Sequence, residues 1–134
     1  MFQQDFMLNE ARKFAELLAR LMGLKVDGKY EEYNDQFNEL LQKEYDTELE
    51  KLLALSEDDF VDTLKQANYS TEKLNALSQL LYVFAQPFKA DEETVLILKK
   101  VLLIFDLLEN EHHYQSFENI DKRKTIYHYF NTYA

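Results

Sequence analysis

The chain has 134 residues, a hydrophobic fraction of 46% and a formal net charge of −10 at pH 7, and it contains no cysteine. These values predict one domain over residues 1–134 with its own core, and they exclude disulfides, thiolate metal sites and cysteine nucleophiles. The negative charge disfavours nucleic acid and anionic membranes as partners, because both would repel the chain.

We expect no targeting or membrane-spanning segment in the chain. Its first residues include Asp5 and lack a continuous apolar run, so we expect no secretory signal and a cytoplasmic location. The most apolar tract, Val95 to Leu108, is interrupted by Lys99, Lys100 and Asp106 and is too short to cross a bilayer. We therefore expect a soluble protein that does not enter a membrane.

Two glycines and one proline leave few helix breakers, which predicts an all-α fold of about seven helices. The first helix is expected over residues 3–22 and should end at Gly23 in the left-handed conformation. Its apolar stripe comprises Met7, Ala11, Phe14, Leu18 and Leu21. The second helix should begin near Gly28, and its apolar face comprises Tyr30, Tyr33, Phe37 and Leu41 or Leu40.

Four further helices are expected to begin at side chains that cap the first turn. These caps are Asp46, Ser56, Ser70 or Thr71, and Asp91. Pro87 should stop or kink the fifth helix near its end. The sixth helix is apolar on most sides, so we expect it to lie at the centre of the fold.

The last helix should start at Ser116. Its expected apolar side comprises Ile120, Tyr127, Phe130 and Tyr133. Because no low-complexity linker separates these elements, the pattern predicts no domain boundary.

The turn between the first two helices resembles a known repeat. Gly23 and the run Gly28-Lys29-Tyr30-Glu31-Glu32 look like the turn and second helix of a tetratricopeptide hairpin. Over most of its length the chain also resembles a family of uncharacterised bacterial helical proteins. The stretches that carry this likeness are Phe2-Gln3-Gln4-Asp5, Gly23-Leu24-Lys25 followed by Gly28-Lys29-Tyr30-Glu31, and Ser116-Phe117-Glu118 with Lys124. The resemblance implies antiparallel hairpins stacked as a tetratricopeptide-like right-handed array, and it implies no catalytic residue.

One short motif raises the possibility of a metal site. Glu109 and His112 have the E-x-x-H spacing that places a carboxylate and an imidazole on one helix face, as in di-iron bundles. Such sites need a second pair, but Thr125 stands three residues before His128. His113 follows His112 directly and points elsewhere on a helix. A metal-dependent helical bundle using Glu109 and His112 is the alternative interpretation.

Aromatic residues give the main functional signal. The chain has nine tyrosines, and four aromatic residues crowd the end of the last helix: Tyr127, Tyr129, Phe130 and Tyr133. Because aromatic side chains are enriched at protein interfaces, these residues predict a partner surface. The main hypothesis is a non-catalytic interaction or scaffold module without a cofactor. It would bind another protein or a second copy, possibly as a homodimer.

A basic run provides a third hypothesis. Lys122, Arg123 and Lys124 are consecutive cations, although Glu118 and Asp121 lie nearby. If this run bound nucleic acid, the affinity would fall steeply with salt. Because the chain is acidic as a whole, we expect a solvated helix face instead.

Overall fold

The structure, a computed structural model, describes the backbone of residues 2–133 and the side chains of residues 12–133. Within that part of the chain all regular elements are helices and there is no strand, which confirms the all-α prediction and the expected seven helices. They are α1 (Phe2–Val26), α2 (Tyr30–Tyr45), α3 (Leu49–Ala54), α4 (Glu57–Ala67), α5 (Thr71–Ala85), α6 (Glu92–Glu111) and α7 (Phe117–Tyr133). None of the described helices has an apolar stretch long enough to cross a membrane.

The chain divides into two compact units, Met1–Lys51 and Leu52–Ala134. The division falls inside α3, so it follows no linker that the composition could reveal. One domain over residues 1–134 stays a prediction.

In the first unit, α1 packs against α2 across the short turn at residues 27–29. The predicted end of α1 at Gly23 is wrong, because the helix continues through Gly23 to Val26. Gly28 takes the left-handed conformation instead, with φ +76°. The Lys29 N–H donates to the Leu24 carbonyl (2.9 Å) and the Gly28 N–H to the Lys25 carbonyl. This is the Schellman pattern, and it needs the glycine two residues beyond the last helical residue.

The apolar faces of this unit agree with the prediction only in part. Leu21 of α1 is buried, whereas Met7 and Ala11 lie outside the described side chains. The buried residues of α2 are Tyr33, Phe37, Leu40, Leu41 and Tyr45. Tyr30, predicted on the same face, is 61% exposed. It is the first residue of α2, and helical side chains lean toward the N-terminus, so its ring points away from the rest of the face.

The predicted cap of α3 is also wrong. Asp46 ends α2 in the left-handed conformation (φ 53°), where the Gln42 amide donates to its carboxylate at 3.0 Å. Aspartate tolerates this conformation better than most residues. The backbone N–H of Leu49, at the start of α3, donates to the Asn38 side chain at 3.1 Å.

In the second unit α6 is the central helix, as predicted, and packs against α4, α5 and α7. Leu98, Val101 and Ile104 of α6 are completely buried. Three of the four helices that begin in this unit have the predicted caps: Ser56, Ser70 and Asp91 accept hydrogen bonds from the backbone N–H groups of Asp59, Lys73 and Thr94. α5 ends at Ala85, two residues before Pro87.

The predicted apolar side of α7 needs correction. Its buried residues are Asn119, Ile126 and Tyr129. Tyr127 and Tyr133 are 47% and 61% exposed, while Ile120 and Phe130 are half-buried.

The inward face of α7 is set by a polar contact with α5. The Gln79 amide donates to Asn119 Oδ1 at 3.0 Å, and Asn119 Nδ2 donates to Asn75 Oδ1 at 2.9 Å. A buried amide needs such partners, so these bonds favour the rotation of α7 that turns Asn119 inward. Apolar spacing alone does not predict this rotation.

Candidate interaction surface

Five aromatic rings from three elements of the second unit are in contact, and we call them the aromatic array. Its members are Tyr82 of α5, Phe88 of the α5–α6 connection, and Tyr129, Phe130 and Tyr133 of α7. The ring centroids of Tyr82 and Phe88 are 5.4 Å apart, and those of Phe88 and Tyr129 are 5.5 Å apart, both edge to face. Edge-to-face pairs at this distance are favourable because the positive ring edge meets the negative ring face.

Tyr129 is the anchor of the array. It is 3% exposed, and its hydroxyl donates a hydrogen bond to the backbone carbonyl of Lys89. Burial, together with the nearby charge of Asp91, raises the pKa of Tyr129 above its ordinary value, so the phenol stays protonated and able to donate. This bond attaches α7 to the connection between α5 and α6.

Tyr133 is the exposed end of the array. Its ring lies 5.2 Å from that of Tyr129, one helical turn away, but it is 61% exposed. Phe130 is half-buried with its centroid 5.7 Å from the Tyr129 ring. The structure therefore brings three of the four predicted surface residues together. Tyr129 is buried, Phe130 is half-buried and Tyr133 is exposed.

Tyr127, the fourth predicted residue, points to another side of α7. It is 47% exposed, and its polar contact with Arg123 helps to raise the pKa of that guanidinium. Arg123 in turn donates to Asp106 at 3.1 Å and lies 3.2 Å from Glu109. Tyr127 thus belongs to the polar contacts between α7 and α6 and lies outside the array.

Two shallow recesses adjoin the array. One has a volume of about 260 Å³, and we call it the Tyr133 recess; it is lined by Ala90, Asp91, Glu92, Val95, Tyr129 and Tyr133. The other has a volume of about 370 Å³ and is lined by Tyr82, Gln86, Pro87, Phe88 and Thr125. The first recess contains two carboxylates, whereas the second has no charged residue in its lining.

The basic run on α7 is largely occupied by contacts within the chain. The Lys122 ammonium lies 5.4 Å from the centre of the Tyr82 ring, and burial lowers the pKa of Lys122, an effect that Glu118 opposes. Arg123 stacks on Phe105 at 5.6 Å in addition to its carboxylate contacts. Only Lys124 of the three is exposed. Such engaged cations form a poor phosphate-binding surface.

The residues of the predicted metal alternative have other partners. Glu109 is in the ion pair with Arg123, and His112 Nδ1 lies 2.8 Å from Thr71 Oγ1. His113 and His128 are exposed. Among the residues that the structure describes, no group of three or more His, Cys, Asp and Glu side chains is arranged to hold a metal ion.

Several residues of this surface were not predicted as part of it. Asp91 was predicted only as a helix cap, and Tyr82, Phe88 and Lys89 were not predicted to belong to a surface. The nearest signal was Pro87, which marks the connection. The pairing of this connection with the end of α7 joins residues about 40 positions apart, as in the Tyr129–Lys89 bond, and no local pattern shows it.

Comparison with known proteins identifies no relative of this chain. No protein-family model matches the chain, and neither the curated proteins nor the solved structures gave a match. The class that the structure itself defines is an all-helical protein with an aromatic surface at the end of its last helix.

Proposed function

We propose that the protein is a non-catalytic interaction module that binds another polypeptide through the aromatic array. The observation that carries the proposal is the position of Tyr133. Its ring is 61% exposed while the Tyr129 ring beneath it is 3% exposed and hydrogen-bonded to Lys89. An exposed aromatic ring that packs on a buried, hydrogen-bonded residue loses little conformational entropy on binding. This property is typical of residues that anchor an interface.

The surroundings of Tyr133 support the same function. Tyr129 lines one recess and Phe88 the other, and both recesses include polar residues in their lining. Interfaces commonly combine an aromatic centre with such a polar rim.

We further propose that the helical hairpins stack in a tetratricopeptide-like array. The α1–α2 hairpin and its glycine turn support it, as does the likeness of Gly28-Lys29-Tyr30-Glu31-Glu32 to that repeat. In such arrays, exposed residues of successive helices form the binding surface. A second copy of the chain is one possible occupant, and the experiment below distinguishes it from a different protein.

The test compares Tyr133→Ala with Tyr30→Ala. Both tyrosines are 61% exposed, so the two variants remove the same ring from equally exposed positions in different units. Light scattering over a range of concentrations measures self-association, and quantitative capture from a native lysate measures other partners. We expect Tyr133→Ala to weaken complex formation at least tenfold, as for an interface anchor, and Tyr30→Ala to retain it. A monomeric protein without an enriched partner, or equal binding by both variants, would contradict the proposal.

A further inference from the structure

The Tyr133 recess combines aromatic surface with negative charge. Its lining includes the aromatic residues Tyr129 and Tyr133 and the acidic residues Asp91 and Glu92. Its volume of about 260 Å³ is below the range of about 300–1,000 Å³ that is usual for small-molecule pockets. The recess is therefore of a size for one side chain of a partner.

The net charge around the recess is negative, although the positive N-terminal end of α6 lies beside it. The N-terminus of α6 carries roughly half a positive charge, and Lys89 adds one cation nearby. Asp91, Glu92 and Glu93 supply three carboxylates in the same turn, so negative charge dominates. The Asp91 carboxylate accepts the Thr94 N–H at 2.8 Å, and hydrogen bonding with Thr94 lowers the pKa of Asp91 below its ordinary value.

Other aromatic rings in the chain already carry a cation of the chain itself. Lys122 lies over Tyr82, Lys73 over Tyr69 and Lys100 over Phe60, at 5.3–5.6 Å from the ring centres. Among the described residues no lysine or arginine lies over Tyr133. The exposed tyrosine of the array thus lines a recess with two acidic residues, and no described lysine or arginine lies over its ring.

We propose that the Tyr133 recess binds the side chain of an arginine residue of the partner polypeptide. This inference rests on the proposed function and specifies the chemistry of the partner. A guanidinium group stacks on a tyrosine face and donates hydrogen bonds to carboxylates at the same time, which suits this lining better than a lysine ammonium or an apolar side chain. The chain's net charge of −10 also favours the approach of a basic segment.

The test is an NMR titration of the full-length ¹⁵N-labelled protein with N-acetyl-arginine amide at low salt. The control ligands are N-acetyl-citrulline amide, which is uncharged but similar in shape, and N-acetyl-lysine amide. We expect saturable shifts of the amide resonances of Asp91, Glu92 and Tyr133, with millimolar affinity for arginine, weaker binding of lysine and none of citrulline.

Three variants test the roles of ring and charge. From the strength of exposed cation–π and ion-pair contacts, we expect Tyr133→Ala and Glu92→Gln each to weaken arginine binding by about twofold to fivefold. Tyr133→Phe keeps the ring and should bind as the parent does. Tyr30→Ala is the control for loss of an exposed ring.

Equal shifts with citrulline, unchanged binding by Tyr133→Ala, or shifts as large at Glu57–Asp59 as at the recess would overturn this inference. The last result would indicate only general attraction to acidic surface. The proposed function has a separate readout: if Tyr133→Ala abolishes partner capture while arginine amide does not bind, the array is still an interface but the arginine assignment is wrong.

Discussion

Tyr129 and Tyr133 lie one turn apart on α7 with their ring centroids separated by 5.2 Å, yet one is 3% exposed and the other 61%. Tyr129 is a structural residue, because its hydroxyl and ring are both used inside the unit. Tyr133 leaves most of its ring to solvent. Substitutions at the two positions should therefore separate stability from binding.

Tyr129→Phe removes the hydroxyl that binds the Lys89 carbonyl. We expect the free energy of unfolding to fall by about 1 kcal/mol, the usual contribution of a hydrogen bond made within a protein. Urea denaturation measures this change. Tyr133→Phe is the matched control and should differ from the parent by less than about 0.5 kcal/mol, since its hydroxyl is on an exposed side chain. Equal stability of the two variants would show that the Lys89 bond contributes nothing.

Asn119→Ala breaks the polar contact between α5 and α7. Gln79 and Asn75 both lose a partner in a half-buried place, so we expect a cost of about 1–3 kcal/mol in unfolding free energy. Asn110→Ala, at an exposed position near the end of α6, is the control. Adding Asn75→Ala to Asn119→Ala should cost less than the sum of the single changes, because both remove the same bond. Additive costs would show that Asn75 and Asn119 do not stabilise the protein through a shared interaction.

The two glycines should respond to alanine in opposite directions. Gly23 lies inside α1 with nothing near the position of an added Cβ, so Gly23→Ala should stabilise the protein by about 0.5–1 kcal/mol. Gly28 has φ +76°, where a side chain costs about 1–2 kcal/mol, so Gly28→Ala should destabilise it. Thermal unfolding of both variants checks the prediction. If Gly23→Ala were the more harmful change, the left-handed position would be at Gly23.

Lys100 should make stability depend on pH. Its ammonium is buried, donates to the Leu55 carbonyl at 3.0 Å and lies over the Phe60 ring. Burial lowers the pKa of Lys100, an effect that Glu57 opposes. Between this lowered pKa and the ordinary value of about 10.4, the unfolded chain binds more protons than the folded one, so stability from this group rises with pH.

The measurement is the difference in unfolding free energy between the parent protein and Lys100→Met. We expect the parent to become more stable relative to Lys100→Met as the pH rises from 7 toward about 10. Lys99→Met removes an exposed neighbouring lysine and corrects for the general loss of positive charge. The same pH trend in both comparisons would rule out a special role for the buried ammonium.

The local structure of this protein could largely be predicted from its sequence. Scarcity of glycine and proline, three-to-four spacing of apolar residues and short polar caps such as Ser56, Ser70 and Asp91 act over one or two helical turns. They therefore predicted seven helices, no strand and the central position of α6. At Gly23 the prediction failed because Gly28, five residues later, takes the left-handed position and the hydrogen bonds of the turn end α1 there. At Asp46 it failed because this residue ends α2 in the left-handed conformation, where the Gln42 amide binds its carboxylate.

The rotation of α7 and the composition of the candidate surface depended on tertiary structure. Tyr127, Tyr129, Phe130 and Tyr133 are similar in sequence terms, and their exposures differ because Asn119 and Tyr129 find partners on α5 and on the α5–α6 connection. Those partners are about 40 residues away in the chain. A hydrogen bond between distant residues leaves no periodic pattern, so only the packed helices show which tyrosine supports the fold and which one faces solvent.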